Sequence, residues 1–360
     1  MLTAGQVGSP LSEIDAGSGE IRAVAFSANG KYLVSGDEEM VRVWRMQDGK
    51  QMARMITQFV TCLAISKDGR WIAAGTAWCE VRVWDAKTYG TSFYSLEDGG
   101  INGVDVSPDS TRLLVASRNC RAIIWDIATR QRVVGPLRHE RAVRAARFSP
   151  QGDRIATATF ESIRVYDSDD GRLLVNIPAT LTVTPWYNTS LLWSKAHLFV
   201  VSDSKIKHIE ASTGSSVSEW PVSESNESSC IALPQHREFI AYATNSTITF
   251  WDTLTHTQLG LIQHPQDILS IALSPDDRFI AIGGEDGEIA IKCLSRIIVS
   301  IVICCIMAYL NNLLASTIFP HRIQSLYLVS TPLSRNQTFR LRTLFSICGS
   351  TINSRTQKHY

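Results

Sequence analysis

The sequence is poor in the patterns from which reactive centres are built. Its eight cysteines (62, 79, 120, 230, 293, 304, 305 and 348) include no CxxC pair, so neither a disulfide framework nor a zinc site finds the close spacing it needs. They read as small buried hydrophobes in a reducing compartment. GxSxG, the P-loop, GxGxxG and HExxH are all absent, which leaves hydrolase, nucleotide, dinucleotide and zincin chemistry without its usual frame. Arg138-His139-Glu140-Arg141 is the densest titratable cluster, and it reads as a solvated polar loop. Asp169-Asp170, Asp276-Asp277 and Glu285-Asp286 fall in hairpin turns, where turn chemistry accounts for them. No enzyme, no metal and no cofactor is expected. A net charge of +1 gives no reason to expect nucleic acid as a partner.

Two further absences concern the ends. The opening MLTAGQVGSPLSEIDAGSGE lacks the basic and apolar blocks of a signal peptide, which points to a cytoplasmic or nuclear protein. The sequons at Asn188, Asn226, Asn245 and Asn336 are then chance matches. Acid disappears after Glu288: residues 293–360 hold seven basic residues and no carboxylate, against 34 carboxylates before them.

What the chain has in abundance is a repeated phrase. VRVWRMQDGK starts at Val41 and VRVWDAKTYG at Val81. A second landmark, an apolar residue followed by a Ser-rich turn, begins at Phe26, Ile65, Val106, Phe148 and Leu273, with degraded copies at Leu192 and Leu233. The strand-end position holds Trp44, Trp84, Trp125, Tyr166, Ile209, Trp251 and Lys292, in steps of 40 to 43 residues. Two landmarks keeping one period through seven copies make a repeat architecture. Each unit contains short Val-, Ile- and aromatic-rich runs such as IRAVAF, KYLVSG and MVRVW, separated by turn residues. By the two-residue period of a strand, Val81 and Val83 face one way and Arg82 and Trp84 the other. A sheet apolar on both faces cannot stand alone. Stacking the sheets in a closed ring buries both faces.

The period, the turn after each first strand and the Trp-Asp pairs at Trp84, Trp125 and Trp251 resemble the WD-repeat family over about residues 20–292. The resemblance implies an all-β, seven-bladed β-propeller of four-stranded antiparallel blades, whose role is to bind other proteins or peptides. The chain departs from the family's polar pattern. Gly-His is missing, with only His139 and His264 near its place. Six residues before the strand end, where the family has Asp, stand Glu38, Trp78, Asn119, Phe160, Asp203, Asn245 and Asp286. No repeat assembles a full set, so rigidity is expected mainly from packing, and blade five, with Ile209 in place of Trp, is expected to be the softest.

Four segments follow: 1–19, an N-terminal piece whose LSEI (11–14) is the preferred strand to close the ring; 20–294, the propeller; 295–320, a hydrophobic segment; and 321–360, a basic, poorly ordered tail. Turns between strands two and three and links between blades open on one face of a propeller. Trp78, Phe160, Trp186 and Tyr187 fall there with Arg118, Arg138 and Arg141, and aromatics and arginines dominate binding hot spots. For Trp78 and Phe160 the competing expectation is that they fold inward over the lost Asp sites. Arg42, Arg82 and Arg164 share one strand position, which suits stems packed between blades better than a binding stripe.

Residues 297–319 are apolar enough to cross a bilayer if helical, although the uninterrupted part is fourteen residues. Three readings of the C-terminal region stand side by side: a membrane anchor that would make the protein a propeller-bearing receptor or adaptor, an accessory packed element, and non-coding or frame-shifted sequence. Sequencing mature transcript across Glu288 to Phe319 separates the third from the others. One uninterrupted reading frame there removes it.

Overall fold

The β-branched and aromatic runs become strands, and the Ser-, Asp-, Asn- and Gly-containing stretches between them become turns. In the computed structural model, residues 12–294 are described, except 18, 96–98, 179–190, 203 and 223–228. Strand β1 (Ser12–Asp15) is followed by seven groups of strands. Blade one holds β2 (Ala23–Phe26), β3 (Tyr32–Gly36), β4 (Met40–Arg45) and β5 (Gln51–Ile56). Blade two holds β6 (Val60–Ile65), β7 (Trp71–Thr76), β8 (Glu80–Asp85) and β9 (Thr91–Ser95). Blade three holds β10 (Ile101–Val106), β11 (Arg112–Ser117), β12 (Arg121–Asp126) and β13 (Arg132–Arg138). Blade four holds β14 (Ala145–Phe148), β15 (Arg154–Ala158), β16 (Ser162–Asp167) and β17 (Leu173–Pro178). Blade five holds β18 (Leu191–Ser194), β19 (His197–Ser202), β20 (Lys205–Glu210) and β21 (Ser216–Pro221). Blade six holds β22 (Ser229–Ala232), β23 (Phe239–Thr244), β24 (Thr247–Asp252) and β25 (Gln258–Gln263). Blade seven holds β26 (Ile268–Leu273), β27 (Phe279–Gly284), β28 (Glu288–Cys293) and, as its outer strand, β1. The chain is an all-β, seven-bladed propeller of four-stranded antiparallel sheets.

The seams between blades are where the fold is held. Among the described residues there are seven clusters of buried apolar side chains, one at each seam. The strand alternation assigns each side chain its seam. Val81 and Val83 pack toward blade three beside Ile101, Val104 and Leu113, while Trp84 packs back against Val34, Val41 and Val43 of blade one. Trp44 does the same one blade earlier, against Ile289 and Ile291. The blades approach so closely that a Cβ on Gly36, Gly75 or Gly283 would lie 2.5, 2.4 or 2.6 Å from Val60, Ile101 or Ile21 of the following blade. Glycine is required there by space.

Polar groups stitch the same seams. Ser270 Oγ accepts from the Val24 amide (3.1 Å), and Asp105 Oδ2 accepts from the Phe148 amide (2.8 Å). The buried Asp277 carboxylate accepts from the Gln235 and His236 amides (2.8 and 2.7 Å), anchoring the degraded turn of blade six to blade seven. Three cations on the third strands reach the last carbonyl of the preceding blade. Arg82 donates to Ile56 O (2.8 Å), Arg164 to Arg138 O (3.3 Å), and Lys292, which occupies the Trp position, to Gln263 O (3.0 Å). Burial pushes the Lys292 ammonium below its ordinary range. Arg42 pairs instead with Asp37.

Asp37 revises the sequence assignment. The turn carboxylate of blade one is Asp37 and not Glu38: it is 2% exposed, and its Oδ1 accepts from the Glu39 and Met40 amides at 2.7 and 2.8 Å. Without a full set in view, partial ones do form. Trp44 Nε1 donates to Ser35 Oγ (2.8 Å), and a His–Thr–Tyr group forms in blade four.

Closure comes from the N-terminal side. Residues Ser12 to Asp15 pair antiparallel with Ile291 to Glu288, burying Ile14 and Ala16 in the last seam. Deleting residues 1–16 should remove roughly 3–5 kcal/mol, from one large buried side chain and a ladder of backbone bonds. Urea denaturation followed by tryptophan fluorescence measures this, and an unchanged midpoint would show that β1 contributes nothing to closure.

Candidate functional site

Antiparallel alternation sends the turns between second and third strands, and the links between blades, to one end of the ring. The rim of the channel at that end is set by a shared position four residues before the inner-strand landmark. It holds Arg22, Thr61, Asn102 and Arg144. Thr61 Oγ1 donates to Ile101 O (2.5 Å) and Asn102 Nδ2 donates to Val143 O (2.9 Å), each crossing to the next blade. The two arginines at this position lie over aromatic rings instead, Arg22 over Phe59 (4.7 Å) and Arg144 over Phe160 (4.6 Å). Arg22 also bridges Glu20 (2.6 Å) and Glu38 (3.5 Å). Burial, and then the nearby charge of Arg118, push the Arg144 guanidinium below its usual range.

The residues expected at this face divide in four. Trp78 is 65% exposed, so it does not fold inward over the vacant Asp position. Phe160 is half-buried beneath Arg144, and Arg118 Nε donates to Asn102 Oδ1 at 3.2 Å, so both belong to the rim. Arg141 sits farther out, paired with Glu161 at 2.9 Å with both side chains exposed; Arg138 is exposed at the end of β13. Trp186 and Tyr187 lie outside the described residues. The rim therefore presents an arc over blades one to four that carries Phe59, Trp78 and Phe160 together with Arg22, Arg118 and Arg144. Sequence reasoning missed Arg22, Phe59 and Arg144. Their signal was available, since aligning the repeats on Phe26, Ile65, Val106 and Phe148 puts Arg22 and Arg144 in one column.

Beneath the rim, His139 is buried and built into blade four. Its Nδ1 lies 3.1 Å from the Leu137 carbonyl and must donate to it. Nε2 then accepts, with Thr157 Oγ1 at 2.9 Å and the Tyr166 hydroxyl at 3.3 Å. Burial, helped by the Arg164 charge, holds the imidazole down to about 4, so it is neutral and structural. Thr157 and Ser35 each stand nine residues before the strand-end aromatic, a spacing that marks the mid-sheet hydroxyl.

The channel is narrow, about 90 Å³, and lined by inner-strand side chains including Val24, Leu63, Leu192 and Ile271, with Arg147 and Cys230. Burial pushes the Cys230 thiol up to about 12, and that of Cys62, in the seam between blades two and three, up to about 11, which leaves both unreactive near neutral pH. Among the described residues no group of three or more His, Cys, Asp or Glu side chains could hold a metal ion. Among them, too, no helix is long and apolar enough to cross a membrane; 297–319 lies outside them.

The family model described as "WD domain, G-beta repeat" matches residues 8–45, 51–85, 90–126 and 255–291. The matched stretches end at or beside Trp44, Trp84, Trp125 and Lys292; the unmatched middle carries Tyr166, Ile209 and the LPQHRE turn. The chain is 27% identical over 161 residues (44% of it, 54% of the relative) to a serine-threonine kinase receptor-associated protein of Dictyostelium discoideum. It is 22% identical over 291 residues (78% and 36%) to the transcriptional corepressor LEUNIG_HOMOLOG of Arabidopsis thaliana. With a component of chromatin assembly factor 1 from Mus musculus it shares 25% identity over 174 residues (48% and 27%). The chain thus spans about half, or less, of the length of these relatives.

The geometry separates scaffold from surface. Thr157→Val should cost about 1–2 kcal/mol by leaving His139 short of a donor, whereas Trp78→Ala should stay within about 0.5 kcal/mol of the parent. Equilibrium urea unfolding of both variants checks the distinction, and a large loss in Trp78→Ala would place that side chain in the core.

Proposed function

The chain is a WD-repeat β-propeller, and from that premise we propose that it is a non-enzymatic scaffold that docks other proteins or peptides on the rim of its loop face. The observation that carries this reading is Trp78, a large apolar side chain 65% exposed on a rigid rim beside arginine–aromatic pairs. Such side chains bury much area on binding at little entropic cost, and loops on a stiff frame are already ordered when a partner arrives. The relatives' names support the same class of role: one is called receptor-associated, one a corepressor and one part of an assembly factor.

Partner contact by Arg118, Arg138, Arg141, Phe160, Trp186 and Tyr187 belongs to this proposal. Trp78→Ala combined with Phe160→Ala should weaken partner capture at least tenfold, since loss of two aromatic anchors removes more than about 1.4 kcal/mol. Quantitative affinity capture with the full chain, beside a Trp186→Ala/Tyr187→Ala pair, reads this out. An unchanged set of partners in both double variants, at unchanged stability, would end the docking proposal.

A further inference from the structure

The seam between blades five and six is filled unlike its neighbours. Its apolar part is ordinary, with Phe199, Val201, Ile206, Trp220, Ile231, Ile240 and Tyr242. Beside it stand three imidazoles, His197 of β19, His208 of β20 and His256 of the turn between β24 and β25. The His208 ring stacks on Phe199 (4.4 Å, 16°) and meets His197 edge-on (4.6 Å, 68°). The His256 ring, brought in from blade six on a residue with φ of 57°, stacks on Trp220 of blade five (4.5 Å, 18°). His197 Nδ1 and His208 Nε2 are buried with no hydrogen-bond partner among the described residues, and Ser218 Oγ reaches His208 Nδ1 only at 3.4 Å. An imidazolium in that place would bury an unpaired N–H and face two other titratable rings.

We propose that His208, packed on Phe199 and His197 in this seam, is a pH-operated latch: its uncharged ring holds the seam shut at its outer end, and its protonation opens it. The carboxylates around the cluster are engaged elsewhere or stand to one side. Asp252, whose charge acts on His256, accepts the Leu254 and Thr255 amides at 2.9 and 2.7 Å. Glu210 lies opposite His197 in the β19–β20 register, and its Oε1 accepts from Ser212 Oγ. Glu238 of blade six faces the exposed Lys195 of blade five at 4.0 Å. Lys205, on the same strand as His208, pairs with Glu219 at 2.6 Å.

Burial first, then the charges of His197 and His256, hold His208 down to about 4 in the closed seam. A solvated imidazole titrates near 6.5. The open form therefore binds more protons between about pH 6.5 and 4, and the closed form, complete above 6.5, is lost as pH falls through that window.

Hydrogen–deuterium exchange of the full chain at pH 7.5 and 5.0, corrected for intrinsic rates, tests the latch. Peptides from β20–β21 and β24–β25 should exchange about tenfold faster in acid. Peptides from blades one and two, which contain no histidine, should not change. His208→Phe, which extends the stack on Phe199 without a titrating group, should abolish the acid step. If that variant fails to fold, an NMR titration of the histidine rings in the parent chain decides, with His208 expected below pH 5. An acid response spread evenly over all blades, one that persists in a folded His208→Phe, or a His208 that titrates at 6.5 would overturn the latch.

Discussion

Every other feature of this molecule depends on the apolar seam. A blade alone presents two greasy faces, and neither a turn nor a polar bridge could offset their exposure. Each face finds cover only on the next sheet, so the minimum stable object is the ring. The rim arginines, the narrow channel and the loop arc are held in place because seven such seams lock one another. The hydrogen bonds across seams, from Ser270, Asp105, Asp277 and the three third-strand cations, fix the rotation of each sheet on its neighbour. They set geometry where packing sets existence.

Much of this could be read from residue order, and the reason is periodicity. The alternation Val81, Arg82, Val83, Trp84 states which seam each side chain enters, and the structure places them so. What periodicity cannot resolve is a shift of one residue in a turn, which is why the carboxylate of blade one lies at Asp37 rather than Glu38. Nor does type alone reveal a substitute partner. Lys292 looks like a damaged tryptophan position until its ammonium is seen on the Gln263 carbonyl. The bond from Trp44 to Ser35 and the His139 group were hidden for a related reason: hydroxyl, imidazole and ring sit on different strands or links and meet only after the sheet has formed.

The candidate surface was less legible than the scaffold. Exposure decides between Trp78 as anchor and Trp78 as plug, and exposure is a property of the folded loop. The arginine–aromatic stacks at Phe59 and Phe160 likewise depend on which link folds over which inner strand. Loop identity follows from the repeat; what a loop presents follows from its neighbours.

The strand Ser12–Asp15 leaves the ribosome well before its partners Glu288–Ile291, which follow nearly 280 residues later. At roughly 5–20 residues per second, that strand waits on the order of 15–60 seconds for a mate. Its unpaired edge, and the bare outward face of the first sheet made, are exposed throughout that interval. A chain of this design relies on something to shelter the early strand until the late one exists.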